Sequence, residues 1–276
     1  MKELFFFTAL FSFLTFTHAQ TIDRFVSRGY VDGFLDNNWK GNPKSVELYN
    51  FILDENHQLT DEKIQIQNSY DEKGRHSKST LIYDSTSEYN FEYDEKDRVV
   101  KFRMPNSEEV FSYNEKGQII KSIRNSNSDK TTETKIYTYN STDNELITSE
   151  NKGDSILSET LHKMIKKDST IEVTTFELKL DQLKPIQKVQ FDKNEKRVSF
   201  SLLDKNSKVY TTHFYSYNKY EDVDKIKIRR FKDDGEILTE IVQIHYEYDT
   251  HGNKIKEEKT MNGILIDYTE YKITYY

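Results

Sequence analysis

The chain has 276 residues and a formal net charge of −7, with 40 Lys+Arg against 47 Asp+Glu, which excludes the strongly basic footprint of a nucleic-acid or anionic-lipid binder. Mean hydropathy is polar at −0.85, yet 19 Tyr and 17 Phe supply aromatic area that a disordered chain lacks. Cysteine is absent, so neither a disulfide framework nor a lipid-modified N-terminal Cys is available.

The first element is an address label. Residues 1–19 carry Lys2, an apolar stretch from Leu4 to Phe16, and the small residues Thr17 and Ala19. That pattern is a signal peptide cleaved after Ala19, leaving Gln20 as the new N-terminus. The apolar run is shorter than the ~20 residues of a membrane-spanning helix. The expectation is a periplasmic or secreted protein that does not span the membrane.

Residues 20–43 form the next segment. Ile22, Phe25, Val26, Tyr30 and Phe34 fall near one helical face, interrupted by Gly29 and Gly33. This predicts a short helical cap, with Trp39 packing under a first strand at Lys44–Leu53.

Residues 44–276 repeat. "YDEKGR" at Tyr70–Arg75 returns as "YDEKDR" at Tyr93–Arg98 and "YNEKGQ" at Tyr113–Gln118. Looser copies begin at Tyr139, Phe191, Tyr217 and Tyr248, and the doubled gap between Tyr139 and Phe191 predicts a degenerate copy near "KKDSTIEV" at Lys166–Val173. Between copies run short β-branched and aromatic stretches such as "VVKFRM" and "TKIYTYN". These read as antiparallel strands, half-buried on one face. The Asp or Asn after each aromatic bonds its own backbone two residues on, and Gly74, Gly117 and Gly252 supply a left-handed residue. Asp97 stands where those copies have Gly and tolerates the same conformation. The unit is therefore a hairpin: strand, tight corner, strand, looser return. One such unit buries too little to stand alone, so neighbours must stack. The expected fold is all-β, an antiparallel meander of repeated hairpins.

"YEYDTHGNKIKEEKTMNGILIDYTEYKITY" at Tyr246–Tyr275 resembles the YD repeat of the Rhs family, with Tyr246, Tyr248, Asp249, Gly252, Asn253, Ile255, Gly263 and Tyr268 at the patterned positions. Residues 44–276 are covered, with a poor match over Asn151–Lys188. The resemblance implies an elongated, twisted or rolled sheet of hairpins. It also implies kinship with small exported YD-repeat proteins of Gram-negative bacteria.

Chemistry-bearing motifs are sparse. The seven His are scattered, and neither H-E-x-x-H nor a phosphate-binding loop occurs. His245 and Glu247 share a strand face, a spacing that reads as cross-strand partners. Asp71, Asp94 and Asp249 read as turn formers and not as calcium ligands. No catalytic, cofactor or metal residue is assigned. The candidate binding face is aromatic: Tyr83, Tyr89, Tyr93, Tyr113, Tyr137 and Tyr139, set to stack sugar rings if exposed together. Ser85, Ser155 and Ser169 follow Asp in turns and are candidate O-glycosylation acceptors. The expected function is a non-enzymatic envelope protein that binds or scaffolds a glycan or protein partner. The alternatives are a carbohydrate-active enzyme with acidic residues on one sheet face, or an accessory or neutralising partner of a secreted toxin.

Overall fold

The computed structural model describes residues 22 and 39–276, apart from 143, 154, 180, 181 and 233. The strands are β1 (Pro43–Leu53), β2 (Leu59–Tyr70), β3 (His76–Ile82), β4 (Thr86–Tyr93), β5 (Val99–Met104), β6 (Ser107–Tyr113), β7 (Ile119–Ser126), β8 (Thr132–Tyr139) and β9 (Glu145–Lys152). They continue as β10 (Ser155–Lys167), β11 (Thr170–Lys179), β12 (Gln182–Asp192), β13 (Arg197–Leu203), β14 (Val209–Tyr217), β15 (Val223–Phe231), β16 (Ile237–Tyr248), β17 (Lys254–Met261) and β18 (Ile264–Tyr275). Each pairs antiparallel with its neighbours in the chain, as the hairpin pattern predicts.

The sheet does not stay open, twisted or rolled. β18 pairs with β1, through Ile273↔Val46, Tyr271↔Leu48 and Thr269↔Asn50, and closes the meander into an 18-stranded barrel. Closure removes the unpaired edges that an open sheet of hairpins would expose. The described residues contain no α-helix. Most of the expected cap over 20–43 lies outside them. Within that stretch, Trp39 packs its ring 5.8 Å from Tyr271, and Pro43 already begins β1.

The repeated motif is a five-residue corner, formed nine times among the described residues and starting at residues 54, 71, 94, 114, 192, 204, 218, 232 and 249. In the first YD copy, Asp71 N–H donates to Arg75 C=O at 2.9 Å, and Gly74 N–H donates back to Asp71 C=O at 2.8 Å. The Asp71 Oδ1 accepts from the N–H groups of Lys73 and Arg75. The fourth residue has positive φ in every copy, filled by Gly117 (83°) but also by Asp97 (59°), Glu195 (65°) and Ser207 (62°). The copy expected near residue 165 is instead a two-residue turn, with Lys167 paired to Thr170.

A second feature, a β-bulge, is found at the Asp204 corner, where Tyr210 is the extra residue, and at six corners of the opposite mouth. There the return strand carries one extra residue (Ser77, Val100, Ile120, Val198, Asp224 or Ile255) against the preceding strand. Bulges twist a strand and end its pairing. Pairing with the next strand starts only one residue past the bulge, as at Lys78↔Asn90, Lys101↔Val110 and Lys121↔Ile136. At this mouth of the barrel the hairpins fan apart.

Alternate residues of each strand face inward. Phe91, Phe102, Phe111, Leu146, Met164, Val173, Val189 and Phe191 lie in one buried cluster, together with Ile22 of the N-terminal segment. Ile228, Val242 and Ile244 form a second. Only the concave side of a closed sheet can bring strands as far apart as β4 and β12 to one cluster. The opposite faces of the same strands carry ion pairs: Lys78–Glu88 at 2.6 Å, Arg103–Glu92 at 2.6 Å, Lys101–Glu108 at 3.4 Å and Lys256–Glu247 at 3.2 Å.

Candidate functional site

The corner mouth is built from tyrosines. Where two strands have fanned apart, a Tyr hydroxyl spans the gap to a backbone carbonyl. Tyr93 donates to His76 (2.7 Å), Tyr113 to Val99 (2.5 Å), Tyr139 to Ile119 (3.0 Å), Tyr217 to Arg197 (2.8 Å) and Tyr246 to Val223 (2.8 Å). Each accepting residue is the first of its strand. The cation that ends the previous corner lies over the same ring: Arg75 is 4.9 Å from the Tyr93 centroid and Arg98 is 4.5 Å from that of Tyr113. Tyr276 O–H to Tyr70 C=O at 2.7 Å carries the same stitching across the closure, and beside it Tyr275 O–H donates to the Asp249 carboxylate of the β16–β17 corner at 2.5 Å. There Asn253 grips Lys40, accepting its N–H at 2.7 Å and donating to its C=O at 2.8 Å.

Of the six tyrosines proposed as a face, only Tyr83 is markedly exposed, at 48%. Tyr137 is buried, and Tyr89, Tyr93, Tyr113 and Tyr139 pack against the inner cluster. Tyr137 and Tyr139 do meet at one place. In the fan between β7 and β8 they line a cleft of about 330 Å³ with Asn114, Lys116, Gln118, Ile120, Thr138 and Asn140. Lys116, Ile120 and Thr138 are exposed, whereas Gln118 is 3% exposed. Gln118 Oε1 accepts from Asn114 at 2.8 Å, and its Nε2 has no hydrogen-bond partner among the described residues. A buried amide N–H without an acceptor is costly and calls for explanation. Sequence reasoning missed these positions, although a signal was present: "YNEKGQ" differs from "YDEKGR" by Asn114 for Asp and Gln118 for Arg. The substitution removes the Asp–Arg ion pair that fills the first corner, where Arg75 and Asp71 lie 2.7 Å apart.

The interior also holds polar groups. Lys259 is ion-paired to Glu257 (2.9 Å) and Asp267 (2.5 Å). Burial alone would lower the Lys259 pKa, but the two carboxylates hold it above the ordinary lysine range. Tyr271 donates to Glu257 at 3.3 Å, and burial raises its pKa well above the usual value. Asn50 donates to Asp267 at 2.6 Å. Here two carboxylates converge with an ammonium between them, so both act as ion-pair acceptors. On the opposite wall His162 bonds Thr175 (3.0 Å) and Thr160 (3.2 Å). Its pKa falls to about 4 through burial, helped by the field of Lys135.

The remaining sequence-singled residues are placed as follows. Asp71, Asp94 and Asp249 each accept two corner N–H groups. Glu247 pairs with Lys256, and His245 lies opposite Glu258. Ser85, Ser155 and Ser169 are exposed. Ser85 and Ser155 lie at the mouth away from the tyrosine-bearing corners, and Ser169 lies at the corner mouth.

Among solved structures, the chain is similar to a porin-like protein from Bacteroides uniformis, at 10% identity and a TM-score of 0.44, covering 85% of this chain and 98% of that one. It is also similar to a porin-like protein from Bacteroides vulgatus, at 13% identity and a TM-score of 0.38, covering 67% and 93%. No protein-family model and no curated protein matches the chain. Membership of the YD-repeat family, expected from the corners, is therefore corrected. The hairpins close into an 18-stranded barrel and not an open or rolled sheet, and no family model supports the resemblance.

Proposed function

We propose that this is an exported, water-soluble barrel that acts as a binding scaffold in the bacterial envelope, with the β7–β8 cleft as a seat for a glycan. The observation that carries the reading is the inverted polarity of the wall at β4–β6. A membrane-spanning barrel turns an apolar band about 25 Å tall outward and keeps polar groups inside. Here Phe91 and Phe102 face inward while Glu92, Lys101 and Arg103 of the same strands face outward in ion pairs. β5 has six residues and β6 has seven, short of the ~9–11 that a tilted spanning strand needs. A lipid band would cover those charges along the full height of β5.

The cleft supplies what sugar recognition uses: side-chain amides from Asn114 and Asn140, a hydroxyl from Thr138 and a cation from Lys116, at a place where Tyr137 and Tyr139 form part of the lining. The test is saturation-transfer NMR on the detergent-free mature chain with a panel of neutral and N-acetylated oligosaccharides. Transfer to a sugar should be seen with the wild type and lost when Thr138→Arg fills the cleft, with the circular dichroism spectrum unchanged. No transfer to any member of the panel rejects the glycan seat. A chain that requires detergent rejects the water-soluble barrel.

A further inference from the structure

The outer wall is not uniformly charged. On β9–β12 four apolar residues stand in register across four strands: Ile147 opposite Leu161, Leu161 opposite Phe176, and Phe176 opposite Pro185. They face outward. Their chain neighbours Leu146 and Thr148, His162, and Thr175 turn inward, and Leu161, although buried, belongs to neither inner cluster. A bulge on β12, one extra residue at Ile186, puts Pro185 in line with Phe176. Toward the far mouth the row continues as the pair Leu178–Leu183, with Leu183 49% exposed. On the other side runs a polar row, Glu145–Lys163–Thr174–Lys188.

We infer that this wall is the interface of a homodimer, β9–β12 packed face to face on β9–β12 of a second copy. This rests on the water-soluble reading, because an apolar outer patch in water calls for a protein cover. The pattern selects a second copy. A two-fold axis along the strands, between β10 and β11, carries each row onto the same row of the other chain. Leu161 then meets Phe176 of the second copy, and Ile147 meets Pro185 of the second copy. In the polar row the same axis sets Glu145 against Lys188 of the second copy, and Lys188 against its Glu145. A self-complementary patch of this kind is what an isologous interface requires. The size also fits. Four strands, β9–β12, at ~4.8 Å spacing and ~30 Å of height give roughly 580 Å² per partner, about 1,150 Å² in all, which clears the ~1,000 Å² expected of a specific interface.

The experiment is sedimentation equilibrium on the mature chain without detergent, from about 1 to 100 µM, a range that resolves micromolar association. The expected result is a dimer that Phe176→Glu converts to monomer, with the circular dichroism spectrum retained. Glu145→Lys alone and Lys188→Glu alone should each weaken the dimer, and combining them should restore it. A soluble monomer up to 100 µM overturns the dimer and leaves the water-soluble barrel standing. A dimer indifferent to Phe176→Glu, or single charge variants that are not rescued by combination, also overturn it. A chain soluble only in detergent overturns the water-soluble reading, and this one with it.

Discussion

The hydroxyl of Tyr93 donates to the backbone carbonyl of His76 at 2.7 Å, across a gap where β3 and β4 no longer pair. A side chain thus replaces a lost ladder bond. The bulge at Ser77 opens the hairpin, and the tyrosine of the next repeat closes it.

Tyr93→Phe should keep the ring under Arg75 and remove only that hydrogen bond. The expected loss is about 1 kcal/mol, since a net protein hydrogen bond contributes ~0.5–1.5. Tyr217→Phe on the far wall removes the same bond to Arg197. The two sites share no partner, so their costs should add. Urea denaturation of the single and double variants measures this.

The fourth corner position separates backbone strain from packing. Gly117 has φ of +83°, and an added Cβ would meet no atom within 4 Å. Gly117→Ala should therefore cost about 1–2 kcal/mol through the left-handed conformation alone. Ser207 holds φ of +62° in an equivalent corner. Ser207→Gly should raise the denaturation midpoint, by somewhat less than the Gly117→Ala loss, because glycine gives up more freedom on folding. If both variants move stability the same way, strain at this position is not the controlling factor.

Acid should weaken the barrel in two windows. Folded His162 takes its proton only near pH 4, whereas an unfolded histidine titrates near 6.5. Unfolding therefore binds a proton as pH falls through this range. Stability should drop between about pH 6.5 and 4, by roughly 3 kcal/mol from this residue. His213, lowered by burial and by Arg230 and Arg197, adds in the same direction. His162→Gln can keep a hydrogen bond to Thr175 without titrating and should flatten the curve over that window. Below about pH 4 the corners follow. Asp54 and Asp204 are held low by the N–H groups of Gln58 and Lys208. Asp71 and Asp94 are raised by burial but carried below the usual value by Arg75 and Arg98. Their contribution is present above the unfolded carboxylate pKa and is lost as pH falls through the folded one. Thermal melts across pH 3–8 on wild type and His162→Gln separate the two windows.

The three Asp-Ser turns remain a proposal about modification. Ser85, Ser155 and Ser169 are exposed at strand ends, where an added glycan would not break the ladder. Protein exported by its native host should exceed the sequence mass by whole hexoses, and a triple Ser→Ala variant should not. An unmodified wild-type mass ends the idea.

The corners were legible in the chain because they are local. An Asx oxygen, two N–H groups and one left-handed residue lie within five positions, so Asp71–Arg75 spells out its own geometry. The Asp97 exchange was readable for the same reason. The alternation in "TKIYTYN" set Ile136 across the pleat from Tyr137 and Tyr139, but not which of the two faces turns inward: Tyr137 is buried and Ile136 exposed. The fate of the tyrosines was less legible, because Tyr93 finds its acceptor 17 residues away on another strand.

Closure could not be read at all. Whether hairpins twist into an open sheet or return on themselves depends on strand stagger and tilt summed over all eighteen strands. Each of the local bulges at Ser77, Val100 and Ile120 contributes only a small part of that sum. The pairing of Val46 with Ile273 and the bond from Tyr276 to Tyr70 join the two ends of the repeat region. The sequence by itself determined the hairpin, its corner and the alternation of its two faces, because each is set by contacts within about one repeat. The tertiary structure alone decided that the sheet closes, that the tyrosines stitch a mouth, and that β9–β12 present an apolar row, because those relationships join residues that only the completed ring brings together.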